Sequence, residues 1–367
     1  MHNPPRYMIA GGGTGGHIFP ALAIASGIKS RVPAAELLFV GAQGRMEMTR
    51  VPEAGYQIVG LPIAGLQRKF TFSNFSLPFK VFSSLMQAIG LVRSFKPDAV
   101  VGVGGYASAP LLLAARILWI PYLIQEQNSF AGLTNKLLGS SASSICVAFD
   151  GMEKYFPARK IQLTGNPVRK DLMEQNISQY EARLHFGLQP GKSTILVIGG
   201  SLGARSINQA VSAALANWSE KDFQLIWQTG TAYAGKAEEQ IAQINNSGMI
   251  TRSFIREMNL AYAAADVVVS RAGALSLAEI CMAGKASILI PSPNVAEDHQ
   301  TRNAESLVAA KAALLISDRE AVQRLSAEVC SLLSNPAEIE RIGMAAHRLS
   351  KPDAGEKIVE QLFRIQK

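Results

Sequence analysis

Residues 270–303, SRAGALSLAEICMAGKASILIPSPNVAEDHQTRN, run through a strand end, a glycine loop, a helix, a second strand and a polar loop. Residues 267–269 are a short β-branched run, Arg271-Ala-Gly-Ala is the loop, residues 275–283 have helical composition up to Gly284, and residues 287–290 are apolar again. A unit of this order aims backbone N–H groups and the positive end of a helix dipole at whatever lies above the sheet, which suits a phosphate. Ser276 and Glu279 are three apart and share a face near that positive end. A carboxylate there can accept both hydroxyls of a ribose. A plain αβ scaffold with a helix-start serine and a solvated glutamate accounts for the same residues equally well, so the decision falls to the rest of the chain.

Upstream, the same order appears again. Residues 194–198 form a strand, GGSLGARS (199–206) a glycine loop and residues 207–218 a helix, making Ser201 and the amides around Gly203 a second phosphate cradle. Further strands fall at 224–228 and 249–253. In the first half, a strand at 7–10 runs into GGGTGGHIFPALAIASGIK, with a helix expected near Phe19-Pro20. The spacing is close to a dinucleotide fingerprint, but the acid expected about 20 residues on is missing, because the strand at 37–40 leads to Gly41-Ala42-Gln43. An NAD-dependent oxidoreductase is therefore disfavoured. His17 stands where that loop becomes helix; a lone histidine is more often structural, and the glycine context favours the functional reading. Strands at 57–61, 99–103, 122–125, 144–147 and 161–164 follow. GVGGYASAP (102–110) is another glycine loop, and Glu126-Gln127-Asn128 places polar side chains at a strand's carboxyl edge, where open α/β sheets bind ligands. The two halves share the order acid, apolar strand, glycine loop, helix. They predict an α/β chain of two doubly wound, Rossmann-like domains facing one another across a cleft. The boundaries expected are 1–164, 165–345 after the Gly165-Asn166-Pro167 turn, and a final segment, 346–367, containing a helix.

Composition narrows the function. The chain has 367 residues, 48% of them hydrophobic, enough for two cores. Cys146, Cys281 and Cys330 are scattered in apolar segments, which excludes a disulfide framework or zinc site and fits a reducing cytoplasm. Residues 1–10 lack a signal-peptide core and read as the first strand. Residues 1–163 hold 15 Lys/Arg against 7 Asp/Glu, while residues 164–367 hold 21 against 21, so all of the +8 net charge lies in the first half. Between Glu53 and Asp98 no acid occurs, yet Arg68, Lys69, Lys80, Arg93 and Lys96 do, interleaved with Phe70, Phe72, Phe75, Phe79 and Phe82. No base-reading helix or stacking motif accompanies this charge, so nucleic acid is disfavoured. A helix from about Leu77 places Leu77, Val81, Leu85, Ala88 and Val92 on one stripe and Phe79, Phe82 and Met86 elsewhere on its circumference. Region 66–96 thus predicts monotopic contact with an anionic membrane surface, the alternative being phenylalanines that complete the core. The apolar run 107–124 is interrupted by Pro110, Arg116 and Pro121 and does not span a membrane.

Taken together, GGGTGGHIFPALAIA, GVGGYASAP, EQNSFAGLTNK, GNPVR, GGSLGARSIN and SRAGALSLAE followed by EDHQTRNA resemble the bacterial UDP-N-acetylglucosamine:undecaprenyl-diphospho-muramoylpentapeptide N-acetylglucosaminyltransferases. The blocks occur in the family's order from residue 9 to about 305. The resemblance implies a GT-B fold whose last helix returns to the first domain. The implied reaction is inverting transfer of N-acetylglucosamine to the 4-hydroxyl of N-acetylmuramyl-pentapeptide on undecaprenyl diphosphate, a step of peptidoglycan synthesis. The implied location is peripheral, on the cytoplasmic face of the cell membrane, in the company of cell-wall synthesis or division proteins. By the same resemblance Glu279 takes the ribose hydroxyls, Ser201 and the loop at Ala274, Leu275 and Ser276 the diphosphate, and the backbone of Ile255 the uracil. Arg169 reaches the nucleotide from the hinge and Gln300 the sugar hydroxyls. Thr14, Gly15, Gly16 and Asn128 line the cleft from the first domain, whose glycine loops receive the acceptor diphosphate. Gln125 stands where the family often has His, and Leu202 where a polar residue commonly follows Ser201, which leaves only the Leu202 amide for a phosphate. Another GT-B UDP-sugar transferase, or a non-catalytic nucleotide-binding membrane adaptor, is the alternative; the adaptor has no need of His17 and Asn128.

The attacking hydroxyl needs a base, and His17 is the first choice because an imidazole titrating near about 6.5 accepts a proton at neutral pH. Glu126 and Tyr106 follow, for proton handling or acceptor positioning. No Asp-x-Asp occurs to hold a bridging metal, so helix N-termini and oriented amides are expected to stabilise the leaving diphosphate, with no cofactor. Transfer is accordingly expected to proceed without a strict divalent-ion requirement; complete loss of activity in chelator, restored by magnesium, is the outcome that refutes it.

Overall fold

Strand residues 6–10 show why each half reads as apolar runs rather than an alternation. Tyr7 and Ile9 point to one face of their sheet, Met8 and Ala10 to the other, and all four are buried. A parallel sheet with helices on both faces has no solvent side, so nothing selects a polar residue at every second position. The structure, a computed structural model, describes residues 4–63, 77–169, 172, 177–200, 203–244, 246–295 and 298–366. It divides into two compact units, residues 1–169 with 351–367 and residues 170–350. The sequence reading had placed the boundaries at 164/165 and 345/346.

In the first unit the chain runs β1 (Arg6–Ala10), α1 (Gly15–Arg31), β2 (Glu36–Ala42), α2 (Glu47–Glu53), β3 (Gln57–Leu61), α3 (Leu77–Phe95), β4 (Ala99–Gly102), α4 (Ala109–Ile117), β5 (Tyr122–Glu126), α5 (Leu133–Gly139), β6 (Ser144–Val147) and β7 (Ile161–Leu163). Among the described residues the sheet is parallel, in the order β3-β2-β1-β4-β5-β6-β7. The winding reverses between β1 and β4. Consequently α3, α4 and α5 cover one face, through Ala88, Val92, Leu111, Leu112 and Leu138. Ala21, Ile24, Ala25 and Ile28 of α1 cover the other.

The second unit repeats the scheme: α6 (Gln179–His185), β8 (Ser193–Ile198), α7 (Arg205–Ser219), β9 (Phe223–Gln228), α8 (Ala234–Ile244), β10 (Met249–Arg252), α9 (Met258–Ala264), β11 (Val267–Ser270), α10 (Ala274–Ala283), β12 (Ala286–Leu289), α11 (His299–Ala309), β13 (Leu314–Leu315), α12 (Ala321–Leu333) and α13 (Pro336–Arg348). Its sheet order is β10-β9-β8-β11-β12-β13, with the reversal between β8 and β11. Val197, Trp227 and Val269 pack beneath α7 and α12, while Leu196, Ile226 and Val268 pack beneath α9 and α10.

The last helix, α14 (Ala354–Ile365), lays Ile358, Val359 and Leu362 into the same core as α1. The Tyr7 hydroxyl donates to the Gln366 side-chain oxygen just beyond its end. Two sequence expectations change. The first helix begins at Gly15 rather than near Pro20, because the carbonyl that Pro20 leaves unpaired belongs to exposed Gly16, in the first turn where solvent can reach it. The α3 stripe is covered only toward its C-terminal half: Ala88 and Val92 are buried but Val81 is exposed. The short elements α2 and β13 carried no signal of their own. Since Leu362 is fully buried, Leu362→Ala is expected to lower unfolding free energy by about 2–5 kcal/mol. Denaturant titration checks this, and a change below about 0.5 kcal/mol would place the helix outside the core.

Candidate active site

In the first unit the functional side chains gather at the carboxyl edge where the winding reverses, the position at which such sheets open a crevice. The Val103 amide donates to the Ala10 carbonyl at 2.7 Å, holding the two strand-ending loops side by side. Gly105 has φ +77°, and a Cβ there would stand 2.5 Å from the Gly12 carbonyl oxygen. No side chain fits between the loops. Over this glycine floor lies the His17 ring, 3.0 Å from where a Cβ on Gly104 would be. Its Nδ1 is 3.2 Å from Thr14 Oγ1. The Tyr106 ring covers Gly13, 3.2 Å from the corresponding Cβ position. Thr14, Gly15, Gly16, His17 and Tyr106 are thus brought together by residues far apart in sequence. Arg169 belongs to the same unit, its guanidinium 5.8 Å from the centroid of Phe19 on α1.

Glu126 ends β5, buried, with both carboxylate oxygens engaged. Oε1 accepts from the Asn128 amide at 3.1 Å and its side-chain nitrogen at 3.5 Å. Oε2 accepts from the Gly132 amide and Asn135 Nδ2, each at 2.9 Å. Burial holds the Glu126 carboxyl above its ordinary range, and these donors offset only part of that rise. Glu126 therefore shapes the 127–135 loop that carries Asn128. Beside it, Gln125 Nε2 donates to Asn166 Oδ1 at 3.1 Å and Asn166 Nδ2 donates to the Gln127 carbonyl at 3.0 Å, tying β5 to the Gly165–Pro167 turn. Burial pushes the thiols of Cys146 and Cys281 up to about 12, so neither is a nucleophile at neutral pH.

The second unit presents the loops after β8, β10, β11 and β12. Gly203 has φ +79°, and a Cβ on it would lie 2.2 Å from the Thr229 carbonyl oxygen. Gln228, at the end of β9, donates to the Gly200 carbonyl at 3.1 Å and accepts from the Ile255 amide at 3.1 Å. It had no distinguishing signal in sequence, being one glutamine in an apolar run. Ala274, Leu275 and Ser276 form the first turn of α10, directly after Gly273. Glu279 is buried one turn further in, and Tyr262 donates its hydroxyl to Glu279 Oε2 at 3.1 Å. Gln300 accepts from the Ser292 amide through its side-chain oxygen at 2.8 Å, pinning the loop after β12. The strand order puts Ile255 on one side of α10 and Gln300 on the other. Ser201 and Leu202, and residues 66–76 of the basic and aromatic region, lie outside the described residues.

A model of the glycosyltransferase family 28 N-terminal domain matches residues 7–147 and one of the family's C-terminal domain matches residues 194–358. The chain belongs to glycosyltransferase family 28. It is 49% identical over 361 residues to the UDP-N-acetylglucosamine--N-acetylmuramyl-(pentapeptide) pyrophosphoryl-undecaprenol N-acetylglucosamine transferase of Porphyromonas gingivalis, covering 98% of this chain and 95% of that one. The enzyme of the same name from Phocaeicola vulgatus is 50% identical over 366 residues, 100% and 97% of the two chains. Among solved structures, Acinetobacter baumannii MurG superposes with a TM-score of 0.77 at 29% identity, covering 98% of this chain and 99% of that one. The two Rossmann-like units of this family 28 chain thus match the GT-B expectation.

In the family 28 chain both Glu126 oxygens accept hydrogen bonds, and a carboxamide has only one acceptor oxygen. Glu126→Gln is expected to lose about 1–3 kcal/mol of stability and to loosen the 127–135 loop. Thermal melting with amide exchange checks this; unchanged exchange there would show that the loop does not depend on the carboxylate.

Proposed function

We propose that this enzyme transfers N-acetylglucosamine from UDP-N-acetylglucosamine to the muramoylpentapeptide on undecaprenyl diphosphate, lipid I to lipid II, with the acceptor on the first unit and the donor on the second. The observation that carries the residue roles is the convergence of Thr14, His17 and Tyr106 on a glycine floor at the first reversal point. Full-length relatives named for this transfer, at about half identity, support the reaction.

His17 is the base. In the tautomer that donates from Nδ1 to Thr14 Oγ1, Nε2 carries the lone pair that accepts the proton of the 4-hydroxyl. That oxygen bonds to the anomeric carbon as the bond to the UDP oxygen breaks, and the electron pair leaves on the diphosphate with inversion at carbon. Tyr106 and Asn128 position the acceptor, and Glu126 positions Asn128. The backbone of Gly15 and Gly16 approaches the acceptor diphosphate. On the donor side, the α10 amides at Ala274, Leu275 and Ser276, with Ser201, offset the charge developing on the leaving diphosphate. Glu279, oriented by Tyr262, accepts the ribose hydroxyls; the Ile255 carbonyl takes the uracil; Arg169 supports the nucleotide. Gln300, whose oxygen is held, offers its amide nitrogen to the sugar.

The membrane assignment has its own support. Phe79 is 79% exposed, Phe82 66% and Met86 51%, beside exposed Lys80 on α3. That helix runs antiparallel to the strands, so its aromatic end lies toward the carboxyl edge where the acceptor is placed. No described helix is long and apolar enough to cross a membrane. Contact is read as peripheral, through exposed rings and cations at the headgroups.

His17→Ala is expected to lower transfer by about 10²–10⁴-fold while UDP binding persists. Turnover of a lipid acceptor analogue and UDP calorimetry measure the two; near-normal turnover excludes His17 as the base.

A further inference from the structure

Beneath the first glycine loop lies a carboxylate with no part in the roles above. Glu47 opens α2 and is 0% exposed. Its Oε2 accepts from the Gly13 amide and its Oε1 from the Ala42 amide, both at 3.0 Å. Two glycines make room for it. A Cβ on Gly12 would stand 2.1 Å from Glu47 Oε1, and one on Gly41 would stand 2.6 Å from Glu47 Cγ. Because the Gly13 N–H turns down to the carboxylate, the carbonyl of the same planar peptide, that of Gly12, turns the opposite way. That carbonyl oxygen faces Gly105, 2.5 Å from where a Cβ would be. A peptide with glycine on both sides is the one that rotates at least steric cost. Thr14 and His17 follow directly after it, and the Tyr106 ring rests on Gly13.

We propose that Glu47 is a positioning residue for the acceptor: its charge locks the Gly12–Gly13 peptide with N–H inward and carbonyl outward, and so sets where Thr14, His17 and Tyr106 meet the acceptor. The inference rests on the reading that the first unit's glycine loops receive the acceptor. Charge matters as well as shape. A carboxylate accepts from both amides, whereas a carboxamide of the same shape accepts from one and turns its NH₂ toward the other N–H. The glutamate lacks the position of a nucleotide-fingerprint acid, at the end of the second strand. It stands five residues beyond Ala42 and points back into the loop instead of toward a ribose.

The test is E47Q, assayed for kcat and KM with the lipid acceptor analogue and with UDP-N-acetylglucosamine separately, together with UDP calorimetry and circular dichroism. Expected is a fall in acceptor kcat/KM of about tenfold or more with UDP affinity within about twofold. A folded E47Q protein with acceptor kcat/KM within about twofold of the parent overturns the proposal. Should E47Q not fold, G12A carries the same test. The φ of Gly12 is not positive, so alanine is barred there by Glu47 alone, and its methyl displaces the carboxylate with the same acceptor-selective loss. The double variant G12A/E47A is expected to be no worse than E47A, because the methyl then has room; losses that multiply would show that Gly12 acts independently of Glu47 and overturn the lock. If H17A loses turnover while E47Q does not, the role of Glu47 fails alone. If both variants weaken UDP and leave the acceptor parameters unchanged, the placement of the acceptor on the first unit fails with it.

Discussion

Covering both faces of a parallel sheet leaves only its edges for chemistry, and much of this protein follows from that. In the first unit α3 to α5 seal one face while α1 and α14 seal the other; in the second, α7 and α12 stand opposite α9 and α10. The central strands are then mostly apolar on both sides, and most polar side chains of the candidate site stand at strand ends and loops of the carboxyl edge. The winding reverses once in each sheet, between β1 and β4 and between β8 and β11. At those points the loops after neighbouring strands diverge to opposite faces and open a crevice. At the first of these points two backbones must approach each other with no side chain between, as Gly105 does at the Gly12 carbonyl; Gly203 makes the same approach to the Thr229 carbonyl in the loop after β9.

Three buried carboxylates show how acids can sit close to sites for anionic ligands. Glu47, Glu126 and Glu279 are all nearly inaccessible. An unpaired buried carboxylate is costly, but each has N–H or O–H donors on its oxygens, so its charge is met from within the protein. Glu47 and Glu126 turn backbone amides inward and so decide which groups of their loops face outward. Glu279 accepts from Tyr262 on one oxygen, which orients the carboxyl one turn into α10. Neutral hydrogen bonds would hold the loops less firmly, since those to charged acceptors are roughly twice as strong.

The two-unit α/β architecture was readable without coordinates because its cues are local. Strand, glycine loop and helix occupy some thirty consecutive residues, and the glycine blocks at 11–16, 102–105, 199–203 and 273 mark the carboxyl edges directly. His17, Tyr106 and Glu279 could be singled out because each stands in or just after such a block. Element limits were less accessible. Proline signalled a helix start at Pro20, although solvent at Gly16 allows α1 to begin earlier, and β13 exists only because a neighbouring strand pairs with it. Arg68 and Lys69, with Phe70, Phe72 and Phe75, lie outside the described residues.

Composition and order alone were sufficient for the doubly wound halves, the uneven charge and the residues flanking each glycine turn, since hydrophobic period and backbone freedom act over short distances. Partnerships over long separations needed the folded chain. Glu47 reaches Gly13 across 34 positions, Asn166 meets Gln125 across 41, and Gln228 meets Ile255 across 27. A side chain's hydrogen-bond partner depends on which strand lies next to its own, and strand order is a property of global packing. The loop from 270 to 276 illustrates both levels: its strand–glycine–helix order is local, whereas Tyr262 on Glu279 and Arg271 on Asp318 are contacts that only neighbouring elements bring into reach.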